Sequence, residues 1–350
     1  MSLLQLHPNL QKMIDYAIVN KASDLHLSSG HIPFVRVDGE LLPITDAPPL
    51  SDDLMMEMIN SMMYEYQQKV YKDTMECDLS IPVKDGSRFR VNAFRSINGP
   101  AAVLRLIPAE SMNLDQIMVP KVVHGLCRLH KGLVLVVGPT GSGKSTTLSA
   151  MINSINENHN RHIITIEDPI EFIYKSKKSL INQREVGSDT MSFANALKSA
   201  LREDPNVILV GEMRDLETMR LALTASETGH LVFATLHTNS ASETINRIID
   251  VFPPDDKQLI RSMLSVSLKA VISQRLVKKE GGGRVAAYEV MLANNAVRNL
   301  IREDKVSQIN TIIEISKKYG MITIKDSILE LVEKGLVSKQ VGESLIESIS

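Results

Sequence analysis

Tryptophan is absent, and aromatic residues make up only 4% of the 350-residue chain. A groove that stacks bases on aromatic rings above a basic floor therefore has no signal. The formal net charge of −2 gives no pull on a polyanion either, so nucleic acid is not expected as a direct partner. Cysteine is nearly as scarce. Cys77 and Cys127 stand far apart with neither pairing nor metal-ligand spacing, which excludes a disulfide framework and a cysteine zinc site. Two buried free thiols in a reducing compartment are expected instead. No apolar run approaches 18 residues, and the opening MSLLQLHPNLQ lacks a basic segment followed by a long apolar one. A cytoplasmic protein without direct membrane insertion is expected, reaching any membrane through a partner. The hydrophobic fraction of 43% and charged fraction of 23% are those of an ordinary globular protein, and the length suggests two domains.

The first hundred residues carry strand and hairpin signals. Phe34-Val-Arg-Val37 runs into Asp38-Gly39, a two-residue turn, and residues 51–71 place Leu54, Met58, Ile59 and Met62 at the spacing of one helix. Residues 88–94 alternate polar and apolar before Asn98-Gly99 turns the chain into residues 101–106. A simple two-residue loop there pairs Asn92 with Arg105 and sets Arg88, Arg90 and Arg105 on one sheet face. These features predict a small α+β domain over residues 1–107, followed by a linker over 108–120.

From residue 121 the pattern changes to short apolar runs alternating with helices. The runs are 133–137, 162–166, 207–210 and 231–236, with helices marked by Phe193 to Leu201, Leu216 to Leu223 and Ile245 to Phe252. Near-continuous apolar strands between helices predict an α/β domain over 121–294 with a mostly parallel sheet covered on both faces. Residues 278–284 read as a polar loop, 285–290 as a strand and 295–350 as a helical region.

Between the run at 133–137 and the following helix lies GPTGSGKS, a full phosphate loop formed by Gly138, Pro139, Thr140, Gly141, Ser142, Gly143, Lys144 and Ser145, with Thr146 next. Glycines there let backbone N–H groups turn inward around phosphate oxygens. Lys144 would reach the β- and γ-phosphates, and the Ser145 hydroxyl would ligate Mg²⁺, so a nucleoside triphosphate with Mg²⁺ is the expected pair. Ligands of an open parallel sheet bind at the carboxyl ends of its strands. Those ends carry Glu167-Asp168 after the second run, Glu212 and Asp215 after the third, and His237 after the fourth, with His230 just before the fourth begins. Carboxylates beside a triphosphate repel it unless they hold metal or take a proton. Glu212 is assigned as general base, and Glu167 and Asp168 as the magnesium and water-orienting pair. Asp215 reads equally as a helix cap, and His237 either senses the γ-phosphate or is simply a satisfied polar residue. No arginine of this domain is evidently placed to stabilise the transferring group. The three-arginine face of Arg88, Arg90 and Arg105, offered by another subunit, would supply that charge; the alternative is a solvated basic face.

At these residues the chain resembles the secretion ATPases of type II secretion and type IV pili, and within them the pilus retraction motors. ASDLHLSSG (22–30) is similar to the family's N-terminal signature, GPTGSGKSTT to its Walker A loop and ITIEDPIEF (165–172) to its aspartate box. LREDPNVILVGEMRD (201–215) is similar to its atypical Walker B segment, and TGHLVFATLHTNSA (228–241) to its histidine box. The resemblance implies a PAS-like N-terminal domain, a RecA-like P-loop ATPase core and a homohexamer. It also implies Glu212 as catalytic glutamate, phosphate contacts from His230 and His237, and Arg90 and Arg105 as arginines reaching a neighbour's nucleotide. AVRNLIRE (296–303) resembles a segment of retraction motors, which implies coupling to an inner-membrane pilus platform protein. Asn206 and Ala234 depart from the family's usual Asp and Gly. The rival readings are an accessory retraction paralogue, an assembly ATPase of the same superfamily, a DNA motor and a ring that binds nucleotide without turnover. Assembly ATPases commonly carry four zinc-binding cysteines, and this chain has two cysteines in all.

Overall fold

A computed structural model describes residues 5–37, 39–83, 87–107 and 112–348. The chain divides into two compact units, residues 1–110 and 111–350. Asp38 of the first expected turn, and residues 108–111 of the expected linker, lie outside the described residues.

In the first unit, α1 (Pro8–Val19) precedes β1 (Asp24–Ser28), β2 (Phe34–Val37) and β3 (Glu40–Pro43). Helices α2 (Asp52–Ser61) and α3 (Glu65–Thr74) then lead to β4 (Glu76–Pro82), β5 (Arg88–Ser96) and β6 (Gly99–Ile107). The strands form one six-stranded sheet in the order β3-β2-β1-β6-β5-β4, antiparallel at every pairing. Its apolar residues, with Met55, Met58 and Ile59 of α2 and Leu10 and Ile14 of α1, make a separate core. Two expectations are corrected here. Residues 51–71 form two helices rather than one, because α3 starts afresh at Tyr64, whose N–H is held by the Gln67 side chain at 3.0 Å. The β5–β6 turn sits at Ile97-Asn98, so Ser96 faces Gly99 and Arg105 pairs with Arg90 rather than Asn92. The slip is two residues, which preserves the face, and Arg90 and Arg105 stand directly opposite each other.

In the second unit, α4 (Lys121–Leu126), β7 (Gly132–Val137), α5 (Lys144–Asn158), β8 (His162–Glu167) and β9 (Leu180–Glu185) come first. They are followed by α6 (Phe193–Ala200), β10 (Val207–Val210), α7 (Leu216–Glu227), β11 (Leu231–Leu236), α8 (Ala241–Asp250), α9 (Pro254–Ser267), β12 (Leu268–Lys278) and β13 (Arg284–Leu292). Helices α10 (Asn295–Arg302), α11 (Ile309–Ile315), α12 (Ile324–Glu333) and α13 (Lys339–Glu347) complete the chain. The sheet order is β13-β12-β7-β11-β10-β8-β9, parallel except for β12–β13.

Alternate residues of the same strands feed two cores. Leu133, Leu135, Ile164, Ile208 and Val232 pack with α6, α7, α8 and α9 on one face. Val134, Val136, Ile163, Leu209 and Phe233 pack with α4 and α5 on the other. This is the α/β core with helices on both faces that the apolar runs call for. Side-chain oxygens fix several helix starts, among them Ser192 for α6, Ser240 for α8 and Asn294 for α10. On α10, Val297 and Ile301 are fully buried, while Arg298 is half-buried. Both cysteines are free and buried.

Candidate functional site

The apolar strand β7 ends at Val137, and the loop Gly138–Gly143 delivers the chain to α5, which begins at Lys144. Gly143 sits at φ +88°, a left-handed conformation, and no side chain caps the helix start. The first N–H groups of a 15-residue helix therefore face the loop without a side-chain acceptor. A Cβ on Gly138 would fall 2.4 Å from the Gln274 carbonyl oxygen and 2.6 Å from Ser142 Oγ, so only glycine fits. Lys144 folds back over the loop, its Nζ donating to the carbonyls of Gly138 at 2.8 Å and Pro139 at 3.1 Å. Burial lowers the Lys144 pKa, and the charges of Glu212 and Glu171 oppose that. Ser145 and Thr146 occupy the first turn, half-buried.

Strand register explains why the acidic groups meet this loop. Ile166 is level with Val210 and Val210 with Ala234, while Val137 is level with Leu236. The chain therefore leaves β7, β8, β10 and β11 along one rim. There Glu212 Oε1 accepts from Arg214 Nε at 2.8 Å and lies 3.1 Å from His237 Nε2. Burial pushes the Glu212 carboxyl up, but the Arg214 hydrogen bond and the charges of Arg214, His237 and Lys144 outweigh it and leave the pKa below its ordinary value. Glu212 is thus held as a carboxylate within electrostatic reach of Lys144.

Glu167 is in a different state. It is 8% exposed, and Oε1 accepts from Thr165 Oγ1 at 2.6 Å and from Gln183 Nε2 at 3.4 Å. Burial raises its pKa to about 7, with those hydrogen bonds only partly offsetting it. Asp168, one residue on, is exposed, and its charge is felt at Arg214.

Most of the expected residues come together on this rim, and His230 does not. It precedes β11, and its carbonyl accepts from the Gly132 N–H at the entry of β7. Its ring Nδ1 lies 3.0 Å from the Ala225 carbonyl. The length of β11, about 20 Å, separates it from the phosphate loop of its own chain. The expectation that His230 joins His237 there is corrected, because two histidines at opposite ends of one strand occupy opposite rims. Asp215 is the α7 cap, accepting from the Thr218 N–H and hydroxyl, both at 2.8 Å. Asn206 braces strand entry, its Oδ1 accepting from the His162 N–H at 2.8 Å. In the first unit, Arg105 Nε donates to Asp24 at 2.8 Å, whereas Arg90 has no carboxylate partner among the described residues.

Three groups escaped the sequence reading. Arg214 stands at the site bonded to Glu212, a role the sequence reading does not assign to it. Glu171 faces Lys144 electrostatically. Strand β12 was not foreseen at all, yet it flanks β7 and carries Gln274, whose Nε2 donates to the Ser142 carbonyl at 2.6 Å. Next to it, Ser273 Oγ donates to the Asn239 carbonyl at 2.8 Å, and Glu289 of β13 accepts from the Ala241 N–H at 2.8 Å. The turn after His237 is thereby fastened to the same hairpin. Polar residues interrupting the apolar stretch 270–277 were the available signal.

Comparison with known proteins agrees with this arrangement. The family described as "Type II/IV secretion system protein" matches residues 3–344. The type IV pilus retractation ATPase PilT of Pseudomonas aeruginosa is 52% identical over 332 residues, covering 95% of this chain and 96% of that protein. The type IV pilus ATPase PilU of the same organism is 39% identical, covering 94% and 86%. A crystal structure of the pilus retraction motor PilT with bound ADP superposes with a TM-score of 0.89 at 47% identity, covering 95% of both chains. A strand-end rim that assembles phosphate loop, acidic residues and histidine, within a family match over nearly the whole length, places this chain in the type II/IV secretion system ATPase family.

Proposed function

We propose that this chain is a cytoplasmic motor ATPase that hydrolyses MgATP to drive type IV pilus retraction. The observation that carries the catalytic part is Glu212, kept ionised beside Lys144 at the mouth of the phosphate loop. In the reaction, Lys144 exchanges the Gly138 and Pro139 carbonyls for phosphate oxygens, and the loop N–H groups bind the same chain of phosphates. Glu212 accepts the proton of the attacking water, with Arg214 and His237 fixing its orientation. His237, 45% exposed, is placed to donate to the terminal phosphate.

The oxygen donors present fit Mg²⁺, a hard cation that prefers carboxylate, hydroxyl and phosphate oxygens. Ser145 and the exposed Asp168 would hold it, and bound there it supplies neutralisation of the phosphate charge. Glu167, one residue before Asp168, is instead enclosed and bonded to Thr165 and Gln183.

The greater identity to PilT than to PilU favours the retraction motor over the accessory paralogue. We further assign the chain to a homohexamer acting on an inner-membrane platform protein of the pilus, with Arg90 and Arg105 of one protomer serving the nucleotide of the next. No helix among the described residues is long and apolar enough to cross a membrane. Phosphate release by the wild type and Glu212→Gln tests the catalytic reading. A loss of 10² or more in kcat, on the order expected when a general base is removed, is the expected result. Equal rates would leave a ring that binds nucleotide without turning it over.

A further inference from the structure

Strand β12 does more than extend the sheet. Gln274 is 1% exposed and lies directly beneath the phosphate loop, where its backbone oxygen excludes any side chain at Gly138. Its Nε2 would stand 3.1 Å from a Cβ at Gly143 and donates to the Ser142 carbonyl at 2.6 Å. Among the described residues the one cis peptide is Asp168–Pro169, so the Ser142–Gly143 peptide is trans. In a trans peptide the C=O and the following N–H point to opposite sides. A donor that draws the Ser142 oxygen toward β12 therefore turns the Gly143 N–H away from β12, toward the hollow of the loop.

We propose that Gln274 is a positioning residue for phosphate binding, which sets the Gly143 N–H as an anion donor by holding the Ser142 carbonyl. The amide is suited to this because it must donate. Its own Oε1 is buried without a partner, as is Ser142 Oγ, and flipping the amide would set two acceptors against each other. The arrangement keeps its donor at the expense of an unpaired acceptor. The effect falls on the phosphates common to ATP and ADP, so it acts on binding in the ground state as much as on the reaction. The inference rests on the reading of this loop as a nucleotide site.

The test uses full-length Gln274→Leu and Gln274→Glu, with a fluorescent ADP analogue for Kd and steady-state hydrolysis for KM and kcat. Losing one buried donor predicts about tenfold weaker ADP binding for the Leu variant, a parallel rise in KM for ATP, and kcat within about twofold. The Glu variant separates hydrogen bonding from packing. At pH 8 its carboxylate confronts a carbonyl and binding is lost; toward pH 6 the protonated carboxyl donates, and affinity relative to wild type at the same pH recovers. The Leu variant shows no recovery. Should it fail to fold, the pH-dependent recovery of the Glu variant decides. Unchanged Kd in the Leu variant, a fall in kcat alone, or equal pH-independent losses in both variants would overturn the proposal. A wild type that binds no ADP would overturn the nucleotide reading together with it.

Discussion

Replacing Glu167 by Gln should stabilise the ATPase unit, and by an amount that grows with pH. The Glu167 side chain is almost fully enclosed, and its pKa rises from 4.5 to about 7 because burial penalises the charged form more than Thr165 and Gln183 repay it. The folded state therefore retains a proton that the unfolded chain releases. For a group raised in this way, its stabilising contribution is complete below about pH 4.5 and is lost as pH climbs through 7. The interval corresponds to about 3 kcal/mol, at roughly 1.4 kcal/mol per pH unit. Gln cannot ionise, keeps the size of the side chain and still accepts from the Thr165 hydroxyl. It should match wild type near pH 5 and exceed it increasingly toward pH 8. A unit of this size shifts its melting temperature by about 2–4 °C per kcal/mol, so the gap at pH 8 should reach up to about 6–12 °C. Thermal melts of both proteins without nucleotide, from pH 5 to 8.5, measure it. A gap that is flat with pH, or widest in acid, would show that Glu167 is not the enclosed protonated group described.

Two other substitutions address the site. Arg214→Ala removes the hydrogen bond and charge that hold Glu212 below its ordinary pKa, so Glu212 becomes protonated at a higher pH. Because the base must be ionised, the acid limb of the pH–rate profile should move upward; an unmoved limb would deny Arg214 that influence. For the arginines, chains carrying Arg90→Ala should regain hydrolysis when mixed with chains carrying Lys144→Ala, since some mixed interfaces then contain both intact halves. No recovery at any mixing ratio would confine Arg90 to its own chain.

The central strands were legible because β7, β8, β10 and β11 are buried on both faces and so read as unbroken apolar runs. β9, with the sequence LINQRE at the sheet border, needs no such run and escaped notice. β12 was hidden for another reason. Ser273 and Gln274 are polar because they bond to loops above the sheet, so the very residues that serve the site disguise the strand. The phosphate loop and Glu212 could be placed from strand ends alone. His230 precedes β11 and His237 follows it, so chain order alone sets the two at opposite rims. The β5–β6 register was off by two residues because Ile97 rather than Gly99 enters the turn, a choice of turn conformation that alternation of polar and apolar residues cannot resolve.

The borders of the two sheets limit how copies of this chain can meet. The outer strands of the first sheet, β3 and β4, each carry a glutamate and end in proline, and β9 of the second carries Arg184 and Glu185. Such borders discourage fusion of sheets through shared backbone hydrogen bonds. Copies of this chain meeting along those borders would touch through side chains, and contacts of that kind can part and re-form without unzipping a strand.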